Sequence, residues 1–165
     1  MSKKRKTKYR EYVTHPRYGD KPIYSGATFP VEKILRAHWQ YKADSIFPET
    51  AIEADISKQN YSTYPICIYV DIEKKCVQCQ RWFIFYAQEQ KYWLEYLGFY
   101  VDADCTKCID CRKKEQSIKF LIHEYEVLVK KSNRTEPETS KLKNIALELF
   151  QLGYIKNQNK LNGIS

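Results

Sequence analysis

Six cysteines give the sequence its clearest chemical signal, and five of them stand at intervals of two residues. The first pair is Cys76 and Cys79, in the segment CVQC. Three more follow in CTKCIDC, at Cys105, Cys108 and Cys111. Structural zinc is bound by four Cys or His ligands that come in such closely spaced pairs. The spacing therefore predicts a zinc site made from the first pair and two of the later three cysteines.

Two pairings of the later cysteines are open, because Cys108 can pair with Cys105 or with Cys111. Helical periodicity begins directly after Cys111, and the free N–H groups at a helix start stabilise a thiolate. Asp110 is a suitable N-cap for that helix, whereas Asp104 beside Cys105 disfavours a thiolate there. The expected zinc ligands are Cys76, Cys79, Cys108 and Cys111, with Cys105 as the alternative to Cys111.

The predicted metal site is structural rather than catalytic. Four thiolates complete the coordination sphere of Zn²⁺, so no position remains for water or substrate. The three histidines, His15, His38 and His123, are scattered and form no catalytic motif. An iron–sulfur cluster is the alternative metal group, but the fourth cysteine of ferredoxin spacing and its following proline are missing. Cys67 stands alone in an apolar segment and is expected to be a buried free thiol.

Short strands and one helix must position the two cysteine pairs. Residues 66–72, ICIYVDI, are dense in β-branched and aromatic side chains, and residues 81–86, RWFIFY, form a second such run. Residues 87–98, AQEQKYWLEYLG, change to helical spacing and end at Gly98, a typical C-terminal cap. A strand is thus expected on each side of the first pair, and a helix between the pairs.

Two amphipathic helices are predicted after Cys111. The first has an apolar stripe at spacings of three and four, formed by Ile118, Leu121, Ile122, Tyr125, Leu128 and Val129. Thr135 caps the second and Gly153 ends it, and its apolar face consists of Leu142, Ile145, Ala146, Leu149 and Phe150. Because the link between them is short and polar, we expect an antiparallel helical hairpin.

The fold class predicted is α+β. It combines a zinc ribbon, with short antiparallel strands and a helix inserted between two cysteine knuckles, and a C-terminal antiparallel helical hairpin. Thr28 and Pro30 predict a further helix over about 30–42, whereas residues 45–65 show no sustained periodicity. The expected divisions are a basic, disordered tail over 1–14, a segment with one helix over 15–64, the zinc ribbon over 65–112, and the hairpin with a frayed end over 113–165.

The formal net charge of +8 is concentrated in the first ten residues, MSKKRKTKYR. They hold six basic residues and no acid, which leaves only +2 for the rest of the chain. Such a run either neutralises nucleic-acid phosphates or is a solvated terminus, and both readings stay open. The cations expected to contact nucleic acid are Lys3, Lys4, Arg5, Lys6, Lys8 and Arg10.

The segments CVQCQRWFIFYAQEQKYW and CIDCRKK resemble the bacterial "probable zinc-ribbon domain" family of small uncharacterised proteins. The family pattern is a C-x2-C pair, an F-x-F strand, an E-Q helix with two aromatic residues, and a second C-x2-C pair followed by arginine. Its positions fall here on Cys76, Cys79, Phe83, Phe85, Glu89, Gln90, Tyr92, Trp93, Cys108, Cys111 and Arg112. The resemblance covers about residues 68–115, implies the later cysteine pair and carries no known activity. Gln80 and the additional Cys105 depart from the pattern.

Three functions are consistent with these features. The leading hypothesis is a zinc-stabilised binding module, not an enzyme, that holds RNA, DNA or a ribonucleoprotein through its basic tail and aromatics such as Tyr92, Trp93 and Tyr96. A protein–protein adaptor that uses the helical hairpin is the second, and an enzyme of unknown class is the third. No apolar stretch suits a membrane span or a signal peptide, so we expect a cytoplasmic protein without a membrane or small-molecule partner.

Overall fold

The computed structural model describes residues 10–164. Of the six predicted nucleic-acid contacts, Lys3, Lys4, Arg5, Lys6 and Lys8 lie outside the described residues, and Arg10 is the one within them. The chain divides into two compact units, Met1–Cys111 and Arg112–Ser165. Within the described range, none of the helices is both long and apolar enough to cross a lipid bilayer.

A three-stranded antiparallel sheet forms the centre of the first unit. Its strands are β1 (Ile46–Glu53), β2 (Ile68–Lys75) and β3 (Trp82–Phe85), in the order β1-β2-β3. The central strand β2 is buried on both faces over its first five residues, which explains why its sequence shows a continuous apolar run rather than an alternation. Ile72 of β2 pairs with β1 on one side and with β3 on the other.

Strand β1 was not expected, because residues 45–65 carry no periodic pattern. Its pairing with β2 is irregular, and the register shifts between Phe47 and Ile52. Thr50 replaces part of the missing ladder: its hydroxyl donates to the Phe47 carbonyl and accepts from the Asp71 N–H. Pro48 is tolerated since it lies in this irregular part of an edge strand. The bulge thus removes the alternation by which a strand is recognised in a sequence.

The first helix, α1, spans Val31–Ala37, whereas the sequence predicts a helix over about 30–42. Its N-cap is Pro30 rather than Thr28, and no side chain caps it. It ends early because His38 adopts an extended backbone conformation, with φ −155° and ψ 144°. The chain then turns inward and buries Tyr41, whose hydroxyl bonds to the Ile68 carbonyl and the Gln90 side chain.

Helix α2 (Ala87–Lys91) follows β3 and continues as a π-helical turn over Tyr92–Tyr96. Asp71 of β2 anchors its start, because the carboxylate accepts N–H groups from Ala87 and Ile23. Burial raises the pKa of Asp71 to about 6, although both backbone donors act in the opposite direction. The segment is followed by Gly98, whose φ of 68° is the left-handed conformation expected there.

Helix α3 spans Ile109–Lys130, and the second unit adds α4 (Glu136–Gln151) and α5 (Asn159–Asn162). Ion pairs Lys131–Glu138 and Lys141–Glu124 show that α3 and α4 run antiparallel. On α4 the buried residues are Leu142, Ile145, Ala146 and Leu149, while Phe150 is half-buried. On α3 the predicted stripe is half-buried except Val129, which is exposed. The sheet followed by this helix pair confirms the predicted α+β fold class.

Candidate metal centre

The first cysteine pair lies in the tight turn between β2 and β3. Cys76 N–H donates to the Arg81 carbonyl, and Gln80 N–H donates to the Cys76 carbonyl, each over 2.9 Å. Gln80 has a φ of 61°, the left-handed region that favours glycine. Gln80 therefore occupies a backbone conformation for which glycine is better suited. The turn directs the Cys76 and Cys79 side chains toward the same point.

The second pair lies at the start of α3. Cys108 immediately precedes the helix, and Cys111 belongs to its first turn. Asp110 was expected to be the N-cap, but it lies inside the first turn and pairs with Arg81 over 2.8 Å. The Val77 N–H also donates to the Thr106 carbonyl, which connects the first turn to the loop before the second pair.

The structure brings the sulfurs of Cys76, Cys79, Cys108 and Cys111 within 4.8 Å of one another. The Cys79 and Cys108 sulfurs are 3.7 Å apart. With a Zn–S distance of about 2.3 Å, tetrahedral geometry places two ligand sulfurs about 3.8 Å apart. The four sulfurs are therefore close enough together to surround one zinc ion, and the Cys79–Cys108 pair already has the tetrahedral spacing.

Cys105 is buried beside this group but is not part of it. Its thiol donates to the Lys107 carbonyl over 3.4 Å. Cys67, which was expected to be buried, is exposed just before β2. That expectation was wrong because its neighbours Ile66 and Ile68 fill the interior instead.

The thiol pKa values show how strongly the four sulfurs influence one another. Burial opposes ionisation of Cys76, but the N–H groups of Cys79, Cys108 and Gln78 lower its pKa to about 6. Burial and the three neighbouring sulfurs raise the pKa of Cys111 to about 12. The helix start was expected to favour the Cys111 thiolate, and this crowding outweighs it. Four sulfurs this close form four thiolates only around a cation, which a divalent metal supplies.

Two cations next to the cysteines have defined partners. Arg81 is held by Cys79 and Asp110, which raise its pKa, and Lys74 pairs with Asp104. Arg81 therefore offsets part of the formal −2 charge of a Zn(Cys)4 group directly, whereas Lys74 is occupied by another acid. Lys75 ends β2 at the edge of the same turn.

The model of the family described as "Probable treble clef domain" matches residues 70–119. The match runs from β2 into α3 and includes all four clustered cysteines. No curated protein and no solved structure matches the chain significantly. Residues 70–119 are thus similar to a zinc-binding domain of the treble clef class, and this match overlaps the zinc-ribbon resemblance over about residues 68–115. The predicted cofactor, Zn²⁺, fits its four thiol ligands.

The histidines take no part in the cysteine cluster. His38 is half-buried, its Nε2 lies 3.5 Å from the Asp102 carboxylate, and burial lowers its pKa. His15 lies 3.5 Å from the Glu89 carboxylate, and His123 is exposed on α3. Of the aromatics considered for stacking, Trp93 packs between Phe85 and Phe99.

A line of four exposed side chains, which we call the tyrosine strip, consists of Arg17, Tyr92, Tyr96 and Lys58. The two rings are stacked, with centroids 6.0 Å apart and planes inclined by 26°. Arg17 lies over Tyr92 and Lys58 over Tyr96, at 5.5 and 5.9 Å from the ring centroids. The spacing of the tyrosines, four residues apart on a helix, indicates their proximity in the sequence. Nothing in the sequence indicates the two cations, because they come from distant segments of the chain.

Proposed function

We propose that the protein is a non-enzymatic, zinc-stabilised module that binds single-stranded nucleic acid along the tyrosine strip. The observation that supports this most directly is the pair of stacked tyrosines with a cation at each end. Tyr92 and Tyr96 keep 41% and 67% of their surfaces exposed, so a base can reach each ring by taking the place of the Arg17 or Lys58 side chain over it. Stacking of a base on an exposed aromatic ring contributes about 1–3 kcal/mol without sequence preference.

The two cations of the strip would contact the phosphates of a strand whose bases stack on the tyrosines. No carboxylate of the described residues forms an ion pair with Arg17, so its charge is available to a phosphate. Lys58 is partly neutralised by Asp55, which lies 3.2 Å away. Because the rest of the chain is nearly neutral, the basic residues of the first ten positions add most of the long-range attraction.

Zinc has a supporting role in this proposal. The buried cysteines belong to the same hydrophobic cluster as the sheet residues Ile46, Ile68 and Phe85. Trp93, next to Tyr92 on the π-helical turn, packs against that cluster. Metal binding therefore stabilises the surface on which the tyrosines stand, and its free energy is part of the folding free energy.

The experiment is a salt titration of binding to a fluorescent ten-nucleotide oligo-U RNA, followed by polarisation. The double variant Tyr92→Ala/Tyr96→Ala should bind at least tenfold more weakly at every salt concentration, since two stacking platforms are lost. The matched control is Tyr24→Ala/Tyr64→Ala, which removes two exposed tyrosines outside the strip. Equal affinities of the two double variants, or no binding at low salt, would contradict the proposal.

A tail variant separates charge from stacking. Changing Lys3, Lys4 and Arg5 to Ala should reduce the slope of log affinity against log salt by up to about 2, at about 0.7 for each phosphate that is no longer neutralised. The tyrosine variant should leave that slope nearly unchanged. If the two variants change slope and affinity in the same proportions, the strip and the tail do not act separately as proposed.

The adaptor hypothesis keeps one specific observation in its favour. Phe120 and Val127 of α3 are exposed, and their spacing of seven residues places them on one helical face. Such a face is a common docking surface for an amphipathic partner. Changing both residues to Asp should prevent a partner protein from co-purifying while leaving RNA binding intact.

A further inference from the structure

An open groove of about 370 Å³, which we call the lysine groove, lies in the first unit away from the tyrosine strip. Its volume falls in the range of about 300–1,000 Å³ that small-ligand sites occupy. The groove is bounded by the segment 39–45, by strand β2 with the first cysteine turn, and by the loop 104–106. The side chains that concern its chemistry are Trp39, Lys42, Glu73, Lys74, Lys75 and Asp104.

The two acids of the lysine groove are already engaged by cations. Asp104 pairs with Lys74. Glu73 pairs with Arg10 over 3.3 Å and accepts the hydroxyl of Tyr12 over 2.6 Å. Each carboxylate is therefore offset by a positive charge, so neither opposes an incoming anion with an unpaired charge.

Lys42 and Lys75 supply the charge that remains. Both are exposed, and within residues 10–164 neither forms an ion pair. Lys75 lies beside the first cysteine turn, but the cation held by a cysteine sulfur there is Arg81. The groove thus presents two available ammonium groups, which suit the phosphates of a nucleic-acid strand.

Trp39 places an exposed aromatic ring beside these lysines. The residue is 72% exposed, yet its indole Nε1–H donates to the Asp102 carboxylate over 3.0 Å. The His38 ring also packs beside it, with ring centroids 5.5 Å apart. An aromatic side chain that is restrained before binding loses little conformational entropy when a ligand stacks on it. Trp39 is therefore suited to stacking a planar group.

We infer that the lysine groove is a second contact for the single strand, in which Trp39 stacks a base and Lys42 and Lys75 contact adjoining phosphates. The inference rests on the proposed function, because the ligand is the strand that stacks on the tyrosine strip. A basic groove with exposed aromatic rings is the arrangement with which proteins bind single strands without sequence preference.

The strip and the groove are close enough for one strand to contact both. Tyr96 of the strip lies six residues before Asp102, the hydrogen-bond partner of Trp39. At a maximal length of about 3.5 Å per residue, the two Cα atoms are at most about 21 Å apart. A ten-nucleotide strand is about 34 Å long even at the phosphate spacing of duplex DNA. The oligo-U of the proposed experiment can therefore span both surfaces.

The first test follows tryptophan emission of the full zinc-loaded chain during titration with unlabelled ten-nucleotide oligo-U. Of the three tryptophans, Trp82 and Trp93 are half-buried, so Trp39 is the most accessible to a base. Oligo-U should quench the emission, and Trp39→Phe should abolish that change. An abasic strand of the same length and charge should not quench, since it has no bases to stack. This arm changes only the ligand, so it decides the matter even if a Trp39 variant folds poorly.

The second test measures the contribution of the ring by fluorescence polarisation with labelled oligo-U. Trp39→Ala should weaken binding about five- to hundredfold, as expected for the loss of one stacking platform. The matched control is Tyr24→Ala, which removes a ring of the same exposed fraction outside both surfaces. It should bind like wild type.

The third test assigns the phosphate contacts to the two lysines. Lys42→Ala/Lys75→Ala should reduce the slope of log affinity against log salt by about 1.4, at about 0.7 for each phosphate. The matched control, Lys21→Ala/Lys143→Ala, removes the same charge from exposed lysines outside the groove and should leave the slope nearly unchanged. Equal slopes for the two double variants would contradict the assignment.

The outcomes separate this inference from the proposed function. If oligo-U binds but Trp39 emission is unchanged and Trp39→Ala binds like its control, the lysine groove is not a contact and the strip stands. If Trp39→Ala weakens binding while Tyr92→Ala/Tyr96→Ala does not, the strip is wrong and the groove stands. If oligo-U does not bind at low salt, both are wrong. If a deca-glutamate peptide quenches Trp39 as strongly as oligo-U, the groove accepts anions in general and the inference is wrong.

Discussion

The ligand assignment of the zinc site can be tested by replacing Cys105 and Cys111 one at a time. Cys111 lies in the four-sulfur cluster, whereas Cys105 donates its thiol to the Lys107 carbonyl outside it. Cys111→Ser should therefore remove a metal ligand, and Cys105→Ser should remove only a buried thiol. The two variants make the same chemical change six residues apart, so each is the control for the other.

The expected magnitudes differ widely. Replacement of residues that only support a metal ligand lowers metal affinity by about 10–100-fold, so loss of a ligand in Cys111→Ser should exceed that range. Structural zinc contributes about 10–16 kcal/mol of binding free energy at pH 7. Losing even a third of it removes a large share of a typical net stability of about 5–15 kcal/mol. In Cys105→Ser the serine hydroxyl can keep the bond to Lys107, and we expect a loss of about 1 kcal/mol or less.

The assay combines zinc content by mass spectrometry, competition with a chromophoric chelator, and urea unfolding monitored by fluorescence. Wild type and Cys105→Ser should each retain one zinc per chain, and Cys111→Ser should lose it to the chelator. If Cys111→Ser retains zinc with wild-type affinity while Cys105→Ser loses it, the sulfur geometry of the cluster does not represent the metal-bound site, and Cys105 is the ligand.

Three further changes test how the fold is held. Burial raises the pKa of Asp71 to about 6. Its contribution to the free energy of unfolding is therefore largest below about pH 4, and about 3 kcal/mol is lost as the pH rises through 6. The difference in urea stability between wild type and Asp71→Asn should change with pH in the same way, and a difference independent of pH would contradict this. Gln90→Leu leaves buried partners unsatisfied and should destabilise the first unit by about 3 kcal/mol or more; a urea midpoint within error of wild type would refute that role. Thr135→Ala removes the capping box of α4 and should cost about 1 kcal/mol, measured as helix loss by circular dichroism, with Ser140→Ala as the matched control on the same helix.

Much of the metal-binding domain could be predicted from the sequence, because its signals are local. Each signal occupies about a dozen residues or fewer, so turn and helix geometry alone relates its residues to one another. These signals are the C-x2-C spacing, the two dense apolar strands and the E-Q helix. The later helices were equally predictable, from their apolar stripes and the cap at Thr135. These predictions needed no knowledge of which distant segments meet.

The features that the sequence did not reveal depend on contacts between distant segments. Strand β1 pairs with β2 through an irregular register and a hydrogen bond to Thr50, and its sequence has no alternating apolar pattern. Helix α1 ends where Tyr41 must reach the core. His15 contacts Glu89, although the two residues are 74 positions apart in the chain. No local pattern indicates such a pair.

The open groove between the loop 15–18 and helix α2 also contains residues from outside the matched domain. Glu89, Tyr92 and Ile109 lie within residues 70–119, and Ile109 directly follows the zinc-site residue Cys108. His15 and Arg17 come from the segment that precedes the family match. Zinc therefore fixes one wall through α3 and the core, while the N-terminal segment supplies the other wall and the cation. Because His15 and Glu89 come from opposite walls, we expect this surface to need residues 10–111 together rather than residues 70–119 alone.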